Sequence, residues 1–245
     1  MMKQEVSILS DSCFKVIGDG LIGRAFKKHI DINSNYSAVI FASGVSNSLE
    51  TSPQPYLREK KLLESVVKQK SDSDKFIYFS TLSVYDTSKK DAAYIRHKRE
   101  LEKYLIENCS NHIIIRVPNI IGDGGNPNTL LNYLIDAIQS NTQIKVFKNA
   151  YRNFIDVTDL VEIVEQLVIS DTNNTIIDLL HPISYSMIDI MQSIEKHTNK
   201  KSNSMYVDEG YNYFPPPTKN VIRLFESSDI SLNKSYLSSI LKKYY

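Results

Sequence analysis

Tryptophan is absent from these 245 residues, and cysteine occurs only at Cys13 and Cys109. Neither cysteine has a C-x-x-C or Cys/His neighbour, so a disulfide framework and a structural zinc site are both excluded. The five histidines show no pairing at i+2 or i+4, and no metal is expected. Long apolar runs are missing too. Ile113, Ile114 and Ile115 are stopped by Arg116, and no run approaches the roughly 20 residues that cross a bilayer. The opening MMKQEVSILS lacks the charged and apolar segments of a secretory signal, and a soluble cytoplasmic protein is expected. An excess of either charge is lacking as well: 29 basic and 28 acidic side chains leave +1. No global field draws the chain to nucleic acid or membrane.

What is present is a recurrence. Short runs rich in Ile, Val and Phe fall at 13–18, 38–43, 75–80 and 112–117, each ending near Gly, Ser or Pro. Without clean alternation, they read as strands buried on both faces of a parallel sheet. Amphipathic stretches at 21–30, 56–69, 92–108, 130–139 and 157–169 predict helices between and after them. Strands alternating with helices predict an α/β fold, a doubly wound parallel sheet with right-handed crossovers. Its ligands are expected outside the carboxyl ends of the strands. Beyond 175–180 the pattern loosens, with a helix at 187–197, a non-helical 211–217 (YNYFPPP) and a closing helix at 231–243. We divide the chain into a dinucleotide-binding core (1–125), an insertion (126–152), completion of the core (153–180) and a small C-terminal substrate lobe (181–245).

Gly18-Asp19-Gly20-Leu21-Ile22-Gly23 follows the first run, a G-x-G-x-x-G between a strand and a helix. Such glycines let the chain turn tightly and bring backbone N–H groups against a pyrophosphate at the helix N-terminus. The same motif also serves as a tight turn with no ligand. Only 14 residues separate Gly23 from Ala38, which leaves no room for a second strand ending in an acid that reads the ribose. Asp31 comes too early for that place. Arg24 can meet a 2′-phosphate, tilting the cofactor slightly to NADP over NAD, or it is a solvated helix charge.

The third run leads into Ser80-Thr81-Leu82-Ser83-Val84-Tyr85, and Tyr94 stands thirteen residues beyond Thr81. Tyr94 and Lys98 are i and i+4 and share a helix face. A phenol ionises near pH 10, and bringing one to neutrality costs roughly 4 kcal/mol. An ammonium about 4 Å away supplies energy of that order at an effective dielectric near 20. The pair is thus sufficient as a general acid/base, with Thr81 to hydrogen-bond the reacting oxygen. Tyr56/Lys60 and Tyr85/Lys89 share the spacing, but only Tyr94/Lys98 is expected on a helix after a strand ending in hydroxyls. His97 reads as a solvated helix residue, and Asp156 and Asp159 as the start and cap of a helix.

GDGLIG, STLSVYD, YIRHK, RVPNIIGDG and RNFIDVTDL, in this order, resemble the extended short-chain dehydrogenase/reductase family, the NAD-dependent epimerase/dehydratase group acting on nucleotide sugars. The resemblance implies a Rossmann-like fold, here without strands 2 and 3, and a homodimer through the helices at 56–69 and 92–108. It implies Thr81, Tyr94 and Lys98 as catalytic residues. Gly18, Gly20, Leu21, Ile22, Gly23, Arg24 and Ser43, with Tyr94 and Lys98, would hold NAD or NADP. Thr81, Asn119 and Arg152 would bind substrate, the last two at its diphosphate. Read from the residues alone, Asn119 also suits a turn cap and Arg152 a surface ion pair. The chain departs from the family pattern at Ile17, at the missing strands, at Asn153 where an Asp is usual, and in a shortened stretch between Thr81 and Tyr94. The function expected is NAD(P)-dependent hydride transfer on a nucleotide-activated sugar, with reduction of a keto-sugar preferred over epimerisation. Two alternatives are a non-catalytic nucleotide-sugar or nucleotide binder and a reductase of a small carbonyl compound.

Overall fold

The computed structural model describes residues 14–29, 37–124 and 129–245. Cys13, Ile30, Asp31 and 126–128 of the expected insertion lie outside the described residues. The first half of the chain runs β1 (Phe14–Ile17), α1 (Leu21–His29), β2 (Ala38–Phe41), α2 (Pro53–Gln69), β3 (Lys75–Thr81), α3 (Ala93–Asn108) and β4 (His112–Val117). It continues as β5 (Asn119–Ile121), α4 (Leu130–Gln139), β6 (Ile144–Phe147), β7 (Tyr151–Arg152), β8 (Phe154–Asp156), α5 (Val157–Ile169) and β9 (Thr175–Asp178). The remainder is β10 (Tyr185–Ser186), α6 (Met187–Thr198), β11 (Ser204–Val207), α7 (Lys219–Ser227) and α8 (Tyr236–Tyr244).

The central sheet is wholly parallel, in the order β1-β2-β3-β4-β9. As the short connection after Gly23 predicts, no described strand lies outside β1, which forms an edge. Ile40, Ile77, Ile113 and Ile115 face one apolar layer with Ala25 and Phe26 of α1 and Leu160 and Val164 of α5. Val39, Phe41, Phe76, Tyr78 and Ile114 face the other, against Leu63, Val66 and Val67 of α2 and Leu101 and Leu105 of α3. Burial on both faces explains why these strands read as continuous apolar runs.

Every step across this sheet goes the same way, so connections of a single hand would put all four helices on one face. They do not. The β1–α1–β2 and β4–α5–β9 connections have the opposite hand to the two between them, which corrects the expectation of uniformly right-handed crossovers. The physical cause is packing: the fully buried Phe26 carries the apolar face of α1 onto the layer that holds α5. As a consequence, the chain leaves β1 and β2 toward opposite faces. The carboxyl ends of such strands, where connections change face, are the place where such sheets take ligands.

The sequence reading places α2 too late. Ser52 precedes a first turn containing Pro53 and Pro55, where no helical N–H is lost. It also misses α7 and the parallel β6/β11 pair. In α7 only Val221 and Phe225 are buried, too little apolar pattern to stand out. Lys75 tethers two layers, its ammonium donating to the carbonyls of Leu167 and Val168 at 3.0 Å each at the end of α5.

Candidate active site

Gly18–Gly23 follow β1 and Ala42, Ser43 and Gly44 follow β2, and the two ends stay joined, the Ala42 amide donating to Ile17 O at 2.8 Å. Gly18 has φ +118°, and a Cβ there would lie 2.5 Å from the Ala42 carbonyl oxygen. A Cβ on Gly23 would lie 2.3 Å from the oxygen of Gly18. These two glycines are required by the fold itself. Gly20 differs: a Cβ there would meet nothing within 4 Å. Its backbone faces open space at the N-terminus of α1, a cradle that suits a pyrophosphate. The residues present therefore fit the phosphate half of a dinucleotide. Arg24 sits beside this turn, its guanidinium donating to the carbonyls of Asp19 and Gly124 at 2.8 Å each.

Thr81 ends β3, is nearly buried, and accepts from the Ser83 amide at 3.1 Å, starting a 3-10 turn over Leu82–Tyr85. α3 is tied to that turn by Arg99, which donates to Val84 O at 2.6 Å. Tyr94, half-buried, and Lys98 share one face of α3, with the Lys98 nitrogen 6.0 Å from the Tyr94 ring centre. Lys98 is not free. Its ammonium donates to Glu59 Oε1 at 2.8 Å, Tyr78 Oη at 3.1 Å and Phe79 O at 3.3 Å.

Glu59 of α2 is fully buried beside this pair, and sequence reasoning missed it. Oε1 also accepts from the Tyr78 hydroxyl at 3.1 Å, while Oε2 accepts from the Val45 amide at 2.8 Å and His97 Nε2 at 3.0 Å. Burial pushes its carboxyl up, but the Lys98 charge and the bonds from His97, Lys98 and Val45 outweigh that and hold it at about 2. The signal was available: Glu59 stands at i−4 and i−7 from Leu63 and Val66, a charge on the apolar face of α2. His97, expected in solvent, is buried for the same reason. Beside it, exposed Arg96 donates to Asp91 O at 2.9 Å.

On the expected substrate side, the backbone and side-chain nitrogens of Asn119 both donate to Asn153 O, at 3.2 and 3.0 Å. Arg152, on the β7/β10 ladder, donates to Tyr151 O at 2.7 Å. It stands close enough to Tyr213 to favour that phenol's ionised form, although burial dominates and raises the Tyr213 pKa. Tyr213 also bonds Ser83, so Arg152 and the turn after Thr81 share a neighbour. Tyr211 donates to Asp86 Oδ1 at 2.6 Å, and Phe214 packs on Leu82 and Leu180. The segment 211–214 thus crosses the exit of β3. Asn153 is buried. Its Nδ2 donates to His181 O at 2.8 Å and Ile183 O at 3.2 Å, bonds that an aspartate could not make. Asp156 caps α5 through the Thr158 amide at 2.9 Å, as expected.

A parallel sheet with a glycine cradle where the connections change face defines a Rossmann-like α/β protein. The model of the NAD dependent epimerase/dehydratase family matches residues 18–176, and the chain belongs to that family. Among curated proteins, none matches it by sequence. Similar solved structures include RMD from Pseudomonas aeruginosa complexed with NADPH, at 14% identity and TM-score 0.69, covering 95% of this chain and 98% of that one. UDP-glucuronic acid 4-epimerase from Bacillus cereus, in complex with UDP-glucuronic acid and NAD, is 18% identical with TM-score 0.62, covering 93% and 77%. UDP-glucose 4-epimerase from Thermus thermophilus, in complex with NAD, is 12% identical with TM-score 0.62, covering 91% and 79%. At these identities the likeness is one of fold.

Proposed function

We propose that the protein is an NAD(P)-dependent oxidoreductase of a nucleotide-activated sugar, reducing a keto-sugar. The open backbone of Gly20, at the turn into α1 where α1 and α2 leave the sheet on opposite faces, carries this reading. Gly18, Gly20, Leu21, Ile22 and Gly23 would hold the cofactor's diphosphate, with Ser43 beside Gly18 after β2. When bound, the nicotinamide supplies the hydride. Tyr94 passes a proton to the sugar oxygen, and Thr81 hydrogen-bonds that oxygen. Asn119 and Arg152 bind the diphosphate of the sugar nucleotide, with Arg152 offering a planar fork suited to phosphate. Exposed Arg24 beside the cradle supports NADP, as does the NADPH complex of a neighbour that matches over nearly the whole of both chains. Exposed Leu57 on α2 and Ile106 on α3 support a homodimer through that face.

Calorimetric titration with NADH, NADPH and nucleoside diphosphates tests this. Micromolar binding of one reduced cofactor is expected, and Arg152→Ala should raise the KM for the sugar nucleotide more than it lowers kcat. The engagement of all three Lys98 donors favours a second reading, a binder of sugar nucleotides without hydride transfer. Binding of nucleoside diphosphate with no binding of either cofactor would establish that one.

A further inference from the structure

The chain that crosses the exit of β3 is anchored at both ends and loosely held between them. Gly210, at φ +96°, lies tight against Ala150, where a Cβ would come within 2.9 Å of the Ala150 nitrogen. At the other end Phe214, only 9% exposed, packs on Leu82 and Leu180, and three prolines follow before Thr218 caps α7. Between these anchors, residues 211–213 make no backbone–backbone hydrogen bond among the described residues. Side chains hold them instead. Tyr211 donates to Asp86 Oδ1 at 2.6 Å, and Tyr213 bonds Ser83 and packs against the Leu82 cluster. The Tyr211 bond can break without leaving a buried polar group unpaired. Asp86 Oδ1 also accepts from the Ser88 amide at 3.1 Å and the Ser88 hydroxyl at 2.6 Å, while Tyr211 is 45% exposed, so water takes up its hydroxyl. A stretch tied by so few bonds opens locally at low free energy.

Tyr213 stands where the sugar would have to lie. Thr81 accepts from the Ser83 amide at 3.1 Å, so the residue that Tyr213 bonds adjoins the one proposed to hold the reacting oxygen. Arg152, proposed to hold the diphosphate, acts on the same phenol. One ring thus reaches toward both ends of the substrate's place. We propose that residues 211–213 form a strap across that place, latched by Tyr211 on Asp86, and that a sugar nucleotide reaches Thr81 only after the strap opens. The inference rests on the proposed roles of Thr81 and Arg152. A nucleoside diphosphate without its sugar ends at Arg152 and leaves the strap shut.

Tyr211→Phe tests this, because it deletes the latch hydroxyl and keeps the exposed ring that meets Tyr213 edge to face at 6.4 Å. Calorimetry is run on wild type and variant with UDP-glucose and dTDP-glucose, each beside UDP or dTDP. A strap that has to open first reduces the apparent affinity by the fraction open. Losing a bond to a carboxylate raises a small open fraction about tenfold. Tyr211→Phe should therefore bind the sugar nucleotide about tenfold tighter, and its parent diphosphate within about twofold of wild type. Equal affinities of the two proteins for the sugar nucleotide would overturn the proposal. So would weaker binding by the variant, which would make the strap a clamp on bound sugar. An equal gain for the bare diphosphate, or a variant that binds the diphosphate and no sugar nucleotide, would overturn it too. Failure of the substrate reading looks different: none of the four compounds binds either protein, and the role of the strap falls with it.

Discussion

Replacing Lys98 by Met should destabilise the protein severely, and the structure sets the size. Glu59 is fully buried, and its carboxyl is drawn from an ordinary 4.5 to about 2: burial opposes ionisation, and Lys98 is the largest of the influences that overcome it. A displacement of that size corresponds to about 3 kcal/mol favouring the charged form in the fold. Lys98→Met strips the partner and leaves an unpaired buried carboxylate, a change that typically costs 3–5 kcal/mol. For a chain of this length we expect a fall in Tm of about 6–20 °C at pH 7. The pH dependence carries the sign. The folded pKa is depressed, so the stabilisation is present above the unfolded value near 4.5 and is lost as pH falls toward 2. Urea unfolding at several pH values, for wild type, Lys98→Met and Glu59→Gln/Lys98→Met, isolates this contribution. The double variant should recover much of the loss at pH 7 and lose about 3 kcal/mol less than wild type between pH 5 and 2. A single variant that costs under about 1 kcal/mol, or a double variant with the acid sensitivity of wild type, refutes the reasoning.

Three further outcomes follow from other sites. Gly20→Val should leave Tm unchanged but weaken NADH and NADPH binding at least about tenfold by calorimetry, whereas Gly23→Ala should cost about 1–3 kcal/mol because its Cβ meets the Gly18 carbonyl. Asn153→Asp, which restores the residue usual in the family, should lower stability by about 2–4 kcal/mol in urea unfolding, since a carboxylate would face the carbonyls of His181 and Ile183. Burial raises Asp159 to about 6 despite its bond from Tyr236, so its contribution to stability is full below pH 4 and is lost as pH rises through 6. Asp159→Asn should therefore stabilise by about 1–3 kcal/mol at pH 7, and the gain should vanish below pH 4 in the same assay.

Local pattern alone determined four of the five strands of the central sheet, most of the helices and the glycine turn, because each depends on neighbours within a few residues. Ala38–Phe41 and the Phe76–Phe79 stretch of β3 run without a charge because both their faces are covered, and that is visible in the chain itself. The edge position of β1 was also legible, since 14 residues after Gly23 cannot hold an extra strand and its return. The face on which α1 packs was not, because it depends on how Phe26 meets α5, more than a hundred residues away. Nor was the part that Lys98 plays. Its spacing from Tyr94 is a property of one helix, and the i, i+4 rule found it. Its charge balance is set by Glu59 on another helix, 39 positions earlier, and only the tertiary structure brings those two side chains within 2.8 Å.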